Sequence, residues 1–156
     1  MTQAADVLQA ARDRGVAIAT AESCTGGLIA GALTEVPGSS DAFDRGFVTY
    51  SNSAKRQMLG VTDATLDEFG AVSEQVAAQM AAGALRNSDA GIAISVTGIA
   101  GPGGSEHKPE GRVCFGIAHA YGTRTETVEF GAIGRHRGPA AKVEHALQLV
   151  LDALRD

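Results

Sequence analysis

The run Val16-Ala17-Ile18-Ala19-Thr20 is small or apolar at nearly every position, and it leads into Ala21-Glu22-Ser23-Cys24-Thr25-Gly26-Gly27. It lacks the alternation of a half-exposed strand, so it reads as a strand covered on both faces. A helical pattern starts at Leu28, which makes the heptapeptide a tight turn from strand end to helix start. The first N–H groups of a helix have no intrahelical partner and favour negative charge beyond the strand end. A phosphate, a carboxylate or the oxyanion of an acyl transfer would each be stabilised there, with Gly26-Gly27 allowing close approach to the backbone. Anion cradle and nucleophile seat are therefore both open, as is a plain helix cap by Ser23 or Thr25.

The flanking pattern sets the architecture. Ala4, Val7, Leu8 and Ala11 share a helical face, with Thr2 as cap and Gly15 as stop. Leu28, Ile29, Ala32, Leu33 and Val36 form the next helix, ended by Pro37-Gly38. Gly46-Phe47-Val48-Thr49-Tyr50 reads as a second strand and Ser51-Asn52 as the cap of a short helix carrying Lys55. A further short helix runs from Asp63 to Phe69, and Ser73 caps a longer one with Val76, Ala77, Met80, Ala81 and Ala84 on its apolar side. Gly91-Ile92-Ala93-Ile94-Ser95-Val96-Thr97 is a third strand, followed by a glycine-rich loop over 98–111 whose length suggests function. Residues 112–118 and 125–130 read as a hairpin turning at Tyr121-Gly122, its second strand an edge. A basic loop, Arg135-His136-Arg137, precedes a last helix built on Val143, Ala146, Leu147, Val150, Leu151 and Leu154.

Helices alternating with strands predict an α/β fold, a three-layer α/β/α sandwich with a mixed, mostly parallel sheet of about five strands. With 156 residues, 44% of them hydrophobic, the chain suits one domain over 1–156. In such sheets ligands bind beyond the carboxyl ends of the parallel strands, which brings Ser23, Tyr50 and Thr97 together and favours Ser23 as a site residue over a cap.

A nucleophilic serine needs a base. His119, His136 and His145 fall in or near the hairpin and last helix, and His107 lies in a polar loop, so no Ser-His-Asp arrangement is legible. Lys55, near a strand end and a helix start, is better placed. Residues 21–25 do not fit GxSxG, and neither GxxxxGK[ST] nor GxGxxG follows a strand.

The net charge of −5 with scattered Lys and Arg lacks the basic footprint of a nucleic-acid binder. Cys24 and Cys114 sit in buried-looking segments outside any metal-binding spacing, so they are expected to be reduced thiols and neither metal nor cofactor is expected. No signal-like start or membrane-length apolar run is present, and a cytoplasmic chain is expected.

Taken together, residues 21–27, Gly46-Phe47-Val48-Thr49-Tyr50-Ser51-Asn52 with Lys55, Gly70-Ala71-Val72-Ser73-Glu74, Thr97-Gly98-Ile99-Ala100-Gly101-Pro102 and Lys108-Pro109 resemble the CinA C-terminal family. The motifs occur in the family's order across nearly the whole chain. The resemblance implies an amidohydrolase that converts nicotinamide mononucleotide and water to nicotinate mononucleotide and ammonia, acting without a metal and as a homodimer or higher homo-oligomer. It implies Ser23 as nucleophile, with Lys55, Tyr50 and Thr97 as catalytic partners. Glu22, Thr25, Gly26, Gly27, Gly98, Gly101, Lys108, Arg135 and Arg137 are the expected substrate-binding residues. Two departures stand out: Glu110-Gly111 replaces the family's Val-Gly, and Gly134-Arg135-His136-Arg137 replaces Gly-Asp-Arg. A phosphate- or nucleotide-binding module without chemistry is the competing reading, and an esterase-like serine hydrolase a third.

Overall fold

The hydroxyl of Thr2 accepts the N–H of Ala5, and Gly15 turns left-handed, so α1 (Gln3–Arg14) starts and stops where its capping residues dictate. The computed structural model describes the backbone of residues 2–99, 108–132 and 134–156, and their side chains other than those of 134–136. Along it follow β1 (Ile18–Glu22), α2 (Leu28–Thr34), a 3-10 turn (Ser39–Asp41), β2 (Phe43–Val48), α3 (Asn52–Leu59) and α4 (Asp63–Phe69). Then come α5 (Glu74–Arg86), β3 (Ile92–Gly98), β4 (Arg112–His119), β5 (Gly122–Glu129) and α6 (Gly134–Arg155).

The strands form one sheet in the order β2-β1-β3-β4-β5. β1 runs parallel to both β2 and β3, whereas β3–β4 and β4–β5 are antiparallel. The expected mixed α/β sheet is present, with its parallel half on the β2 side. α1, α2 and α6 cover one face and α3, α4 and α5 the other. β1 is buried on both sides because Ile18 enters the core beneath α1, α2 and α6, while Ala19 and Ala21 face α5. Small residues on the α5 side let that helix approach closely: the Ser95 hydroxyl donates to the Ala77 carbonyl at 2.6 Å, and a Cβ on Gly116 would lie 2.6 Å from the same oxygen. On the opposite face, fully buried Val7, Leu8, Ile29 and Leu33 each contribute on the order of 1.5–3 kcal/mol through burial.

Several boundaries differ from the sequence reading. The β1 and β2 bounds follow their pairing, in which Glu22 meets both Val48 and Val96, so β1 ends two residues later than its apolar run and β2 begins at Phe43. The stretch 135–137, expected as a loop, belongs to the first turn of α6. Pro139 removes one backbone donor near the start of that helix, where few intrahelical bonds have accumulated, and the helix runs through it.

The registers fix one end of the sheet as the functional end. Continuing the β1–β3 pairing by one residue sets Ser23 beside Thr97, which pairs with Cys114, which pairs with Thr127. Because β4 starts at this end and β5 returns to it, α6 also begins here.

Candidate active site

Ser23 leaves β1 with its N–H bonded to the Val96 carbonyl at 2.9 Å, and the chain then bends through Gly26 and Gly27, whose φ values are 57° and 100°. Side chains other than glycine rarely adopt such angles, so these two residues make the turn possible. One strand over, the Thr49 N–H bonds to the Glu22 carbonyl at 2.8 Å, extending β2 past its last regular residue. Ser51 caps α3 through the Ala54 N–H, and Lys55 points from the first turn of that helix back toward the strand ends.

The Lys55 amine lies 3.0 Å from Ser23 Oγ, 2.9 Å from the Thr49 carbonyl and 3.3 Å from the Tyr50 carbonyl. Lys55 is 1% exposed and Ser23 7% exposed. A neutral amine has two N–H donors and one lone pair, so the two carbonyls can take the donors while the lone pair faces the serine hydroxyl. This arrangement suits proton abstraction from Ser23. An ammonium would instead donate to all three oxygens, which suits the state after transfer.

The helix N-terminus beyond β1 is occupied by the protein itself. Glu22 is 1% exposed and its carboxylate accepts the Thr25 hydroxyl at 2.6 Å and the N–H groups of Ile29 and Ala30, each at 2.9 Å. Glu22, expected to bind substrate, is engaged within the fold. Its two oxygens are spent on the turn and on the first turn of α2, and the anion favoured at that helix start is this carboxylate. Gly26 donates its N–H to the Ser23 carbonyl at 3.0 Å and is likewise engaged. Among the described residues the N–H groups of Cys24, Thr25 and Gly27 meet no other residue's acceptor, so donors for an oxyanion near Ser23 can come from this turn.

The other expected residues are placed unevenly. The Tyr50 side chain is 71% exposed, and it is the Tyr50 carbonyl that meets the amine. The Thr97 hydroxyl is buried and donates to the Ala71 carbonyl at 2.8 Å, tying β3 to the turn before α5. Gly98 serves close packing, since a Cβ there would sit 2.8 Å from Val113 Cγ2 and 3.0 Å from Cys24 Sγ. The Lys108 amine donates to the carbonyls of Phe69 and Val72 and fastens the chain after the glycine-rich loop to the α4–α5 turn. Gly101 and the side chain of Arg135 lie outside the described residues, and Arg137 is exposed in the first turn of α6.

Among the described histidines, His119 accepts the Tyr121 N–H at the opposite end of the sheet. His145 lies against Phe115 and Phe130 and meets Glu126 at 3.0 Å. The thiol of Cys24, next to the nucleophile, is pushed above its ordinary value by burial, an effect opposed by the charge of Lys142 and then of Lys55. Both cysteines are free. Among the described residues no three His, Cys, Asp or Glu side chains gather as a metal site, and no helix is long and apolar enough to cross a membrane.

The profile of the CinA C-terminal domain matches residues 1–154. The chain belongs to the CinA C-terminal domain family. A CinA-like protein of Chlorobium phaeobacteroides is 56% identical over 146 residues, covering 90% of this chain and 35% of that protein. The chain thus spans about a third of the length of that relative. The nicotinamide-nucleotide amidohydrolase PncC of Escherichia coli K12 is 56% identical over 115 residues, 73% of this chain and 70% of that enzyme. Among solved structures, a competence damage-inducible protein A from Klebsiella pneumoniae superposes with a TM-score of 0.93 at 38% identity, covering 98% of this chain and 95% of that one. A competence/damage inducible protein from Agrobacterium tumefaciens gives 0.87 at 51% identity, covering 97% and 96%. In this CinA domain, one contact of the site escaped the sequence reading: the Thr49 carbonyl seats the lysine through its backbone and leaves no side-chain signal.

Proposed function

We propose that this CinA domain hydrolyses the carboxamide of nicotinamide mononucleotide to nicotinate mononucleotide and ammonia, with Ser23 as nucleophile and Lys55 as its base. The observation that carries the reading is the buried 3.0 Å contact between Lys55 Nζ and Ser23 Oγ. A purely structural lysine has little reason to desolvate its amine against a serine at the end of a parallel strand. The likeness to PncC enzymes supplies the substrate.

In this mechanism the Ser23 oxygen attacks the carboxamide carbon as its proton passes to Lys55, and the carboxamide oxygen becomes an oxyanion facing N–H groups of the turn that follows Ser23. The C–N bond then breaks, and Lys55 returns the proton to the departing nitrogen, which leaves as ammonia. Water attacks the resulting ester with Lys55 again as base, releasing the carboxylic acid and restoring the Ser23 hydroxyl. A relay through Tyr50 requires its exposed phenol to turn inward over the bound substrate.

The test is release of ammonia from nicotinamide mononucleotide by the purified chain, followed with a coupled assay. A nucleotide-binding module without chemistry would bind the mononucleotide and release none.

A further inference from the structure

We infer that Lys142 is the cation that seats the phosphate of the mononucleotide; the assignment rests on the proposed substrate. Among the described residues, the other candidate seats for an anion at this end of the sheet are engaged or exposed. Glu22 fills the N-terminus of α2. Lys55 is held by Ser23 and two carbonyls, and Lys108 by the carbonyls of Phe69 and Val72. Arg112 is paired with Glu129 at 2.6 Å, and Arg137 is exposed.

Lys142 differs from all of these. It is only 5% exposed, yet among the described residues its amine has neither a hydrogen-bond nor an ion-pair partner. Its stem is buried, yet the amine keeps an opening to solvent through which a ligand of opposite charge can reach it. Its position fits that role. Lys142 lies on the same helical stripe as Gly138, Ala146 and Val150, all buried, and so stands on the side of α6 that faces the sheet. Helical side chains lean toward the N-terminus of their helix, and α6 begins at the end of the sheet that carries Ser23. The stem can therefore pack along the apolar stripe while the ammonium reaches the strand ends. Cys24, the residue following the nucleophile, packs against the core cluster that holds Ala146, one turn along this stripe, and the charge of Lys142 lowers its thiol against the rise caused by burial. A phosphomonoester held there would leave the carboxamide end of the same molecule free to reach Ser23.

The test compares Lys142→Met, which keeps the stem and removes the charge, with Lys142→Arg, which keeps the charge. Steady-state kinetics are measured with nicotinamide mononucleotide and with the corresponding riboside, which lacks phosphate. Loss of a charged hydrogen-bonding partner corresponds to about 10- to 100-fold in affinity. The methionine variant is expected to raise KM for the mononucleotide by that factor with kcat within about threefold, to leave the parameters for the riboside unchanged, and to keep its fold by circular dichroism. The arginine variant is expected to stay near the parent. An unchanged KM for the mononucleotide, or an equal loss on both substrates, would overturn the assignment. If the parent chain releases no ammonia from either compound, the proposed reaction fails and the anion seat is read separately, by calorimetric titration with nicotinate mononucleotide and inorganic phosphate. Binding by the parent that is lost in Lys142→Met supports the seat, and equal binding, or none by the parent, refutes it.

Discussion

Lys55 Nζ and Ser23 Oγ, 32 residues apart in the chain, meet at 3.0 Å in a site where both side chains are buried. The contact exists because Glu22, the last residue of β1, is tied to the segment that carries the lysine's seats. Its carbonyl accepts the Thr49 N–H, and the carbonyls of Thr49 and Tyr50 then hold the amine. Serine and lysine are thus fixed by strand pairing, which tolerates little drift.

Replacing Ser23 with alanine is expected to lower kcat by about 10³-fold or more while binding of nicotinate mononucleotide stays within a few-fold of the parent, because a nucleophile acts on the transition state. Single-turnover kinetics and calorimetry check the two halves. Near-normal turnover would exclude a covalent path through this residue.

The neighbouring thiol offers a control. Burial raises the Cys24 thiol above its ordinary value, so it stays protonated at neutral pH and is a poor nucleophile. Iodoacetamide at pH 7.5 is expected to leave activity intact and Cys24 unmodified by mass spectrometry. Alkylation of Cys24 with parallel loss of activity would shift the nucleophile one residue along the turn.

Gly83 tests how α3 is positioned. A Cβ at this site would fall 1.9 Å from the carbonyl oxygen of Leu59, the last residue of α3, so Gly83→Ala must push α5 and α3 apart. Overpacking of this kind costs about 1–3 kcal/mol, measurable by urea denaturation. Lys55 sits one turn earlier on the same helix, so kcat is expected to fall as well. A variant of unchanged stability and activity would mean that the two helices separate freely.

Much of this arrangement was legible in the residues. An unalternating strand before two glycines located Ser23, and a lysine one turn into a capped helix located Lys55. Glu22 is expected at the substrate through the resemblance alone; the fold adds that the amides of Ile29 and Ala30 come round to meet its carboxylate. Tyr50 and Thr97 were grouped with Ser23 because each follows a strand, yet strand position does not fix where a side chain points. The Tyr50 ring is in solvent, and the Thr97 hydroxyl turns to Ala71. Lys108 illustrates the same limit, since a lysine beside a glycine-rich loop can serve phosphate or backbone carbonyls and sequence does not separate the two.

Stability against acid should report on Glu74. Hydrogen bonds from Thr127 and then Thr125 lower its carboxyl below the ordinary value and pin β5 to the start of α5. A carboxylate depressed in the folded state contributes stability that is present above its unfolded value, about 4.3, and is lost as pH falls through the folded one. Glu74→Gln is therefore expected to lower Tm at pH 7, with the gap from the parent narrowing below about pH 4. A gap that does not depend on pH would mean that the carboxylate's charge is irrelevant to this tie.

Lys55→Arg separates the two roles a lysine can play beside a serine. A base must be neutral before it accepts a proton; an electrostatic anchor must remain charged. Arginine keeps the charge and is not deprotonated in proteins. It would also have to fit a planar guanidinium where a single nitrogen now meets Ser23 Oγ and the carbonyls of Thr49 and Tyr50. If Lys55 is the base, Lys55→Arg and Lys55→Met are both expected to lower kcat by about 10²–10⁴-fold, the range of general-base catalysis. The parent's rate should rise with pH across the interval in which the amine loses its proton, and that limb should vanish in both variants. If Lys55 only anchors charge, the arginine variant should keep much of its kcat, and the methionine variant should change mainly KM. The methionine variant also answers the concern that guanidinium bulk alone disables the site, because its stem follows that of lysine without the nitrogen. Substantial turnover in either variant, with the parent's pH limb intact, would remove Lys55 as the base and leave a phenol turned in from Tyr50, or a bound water, to accept the serine proton.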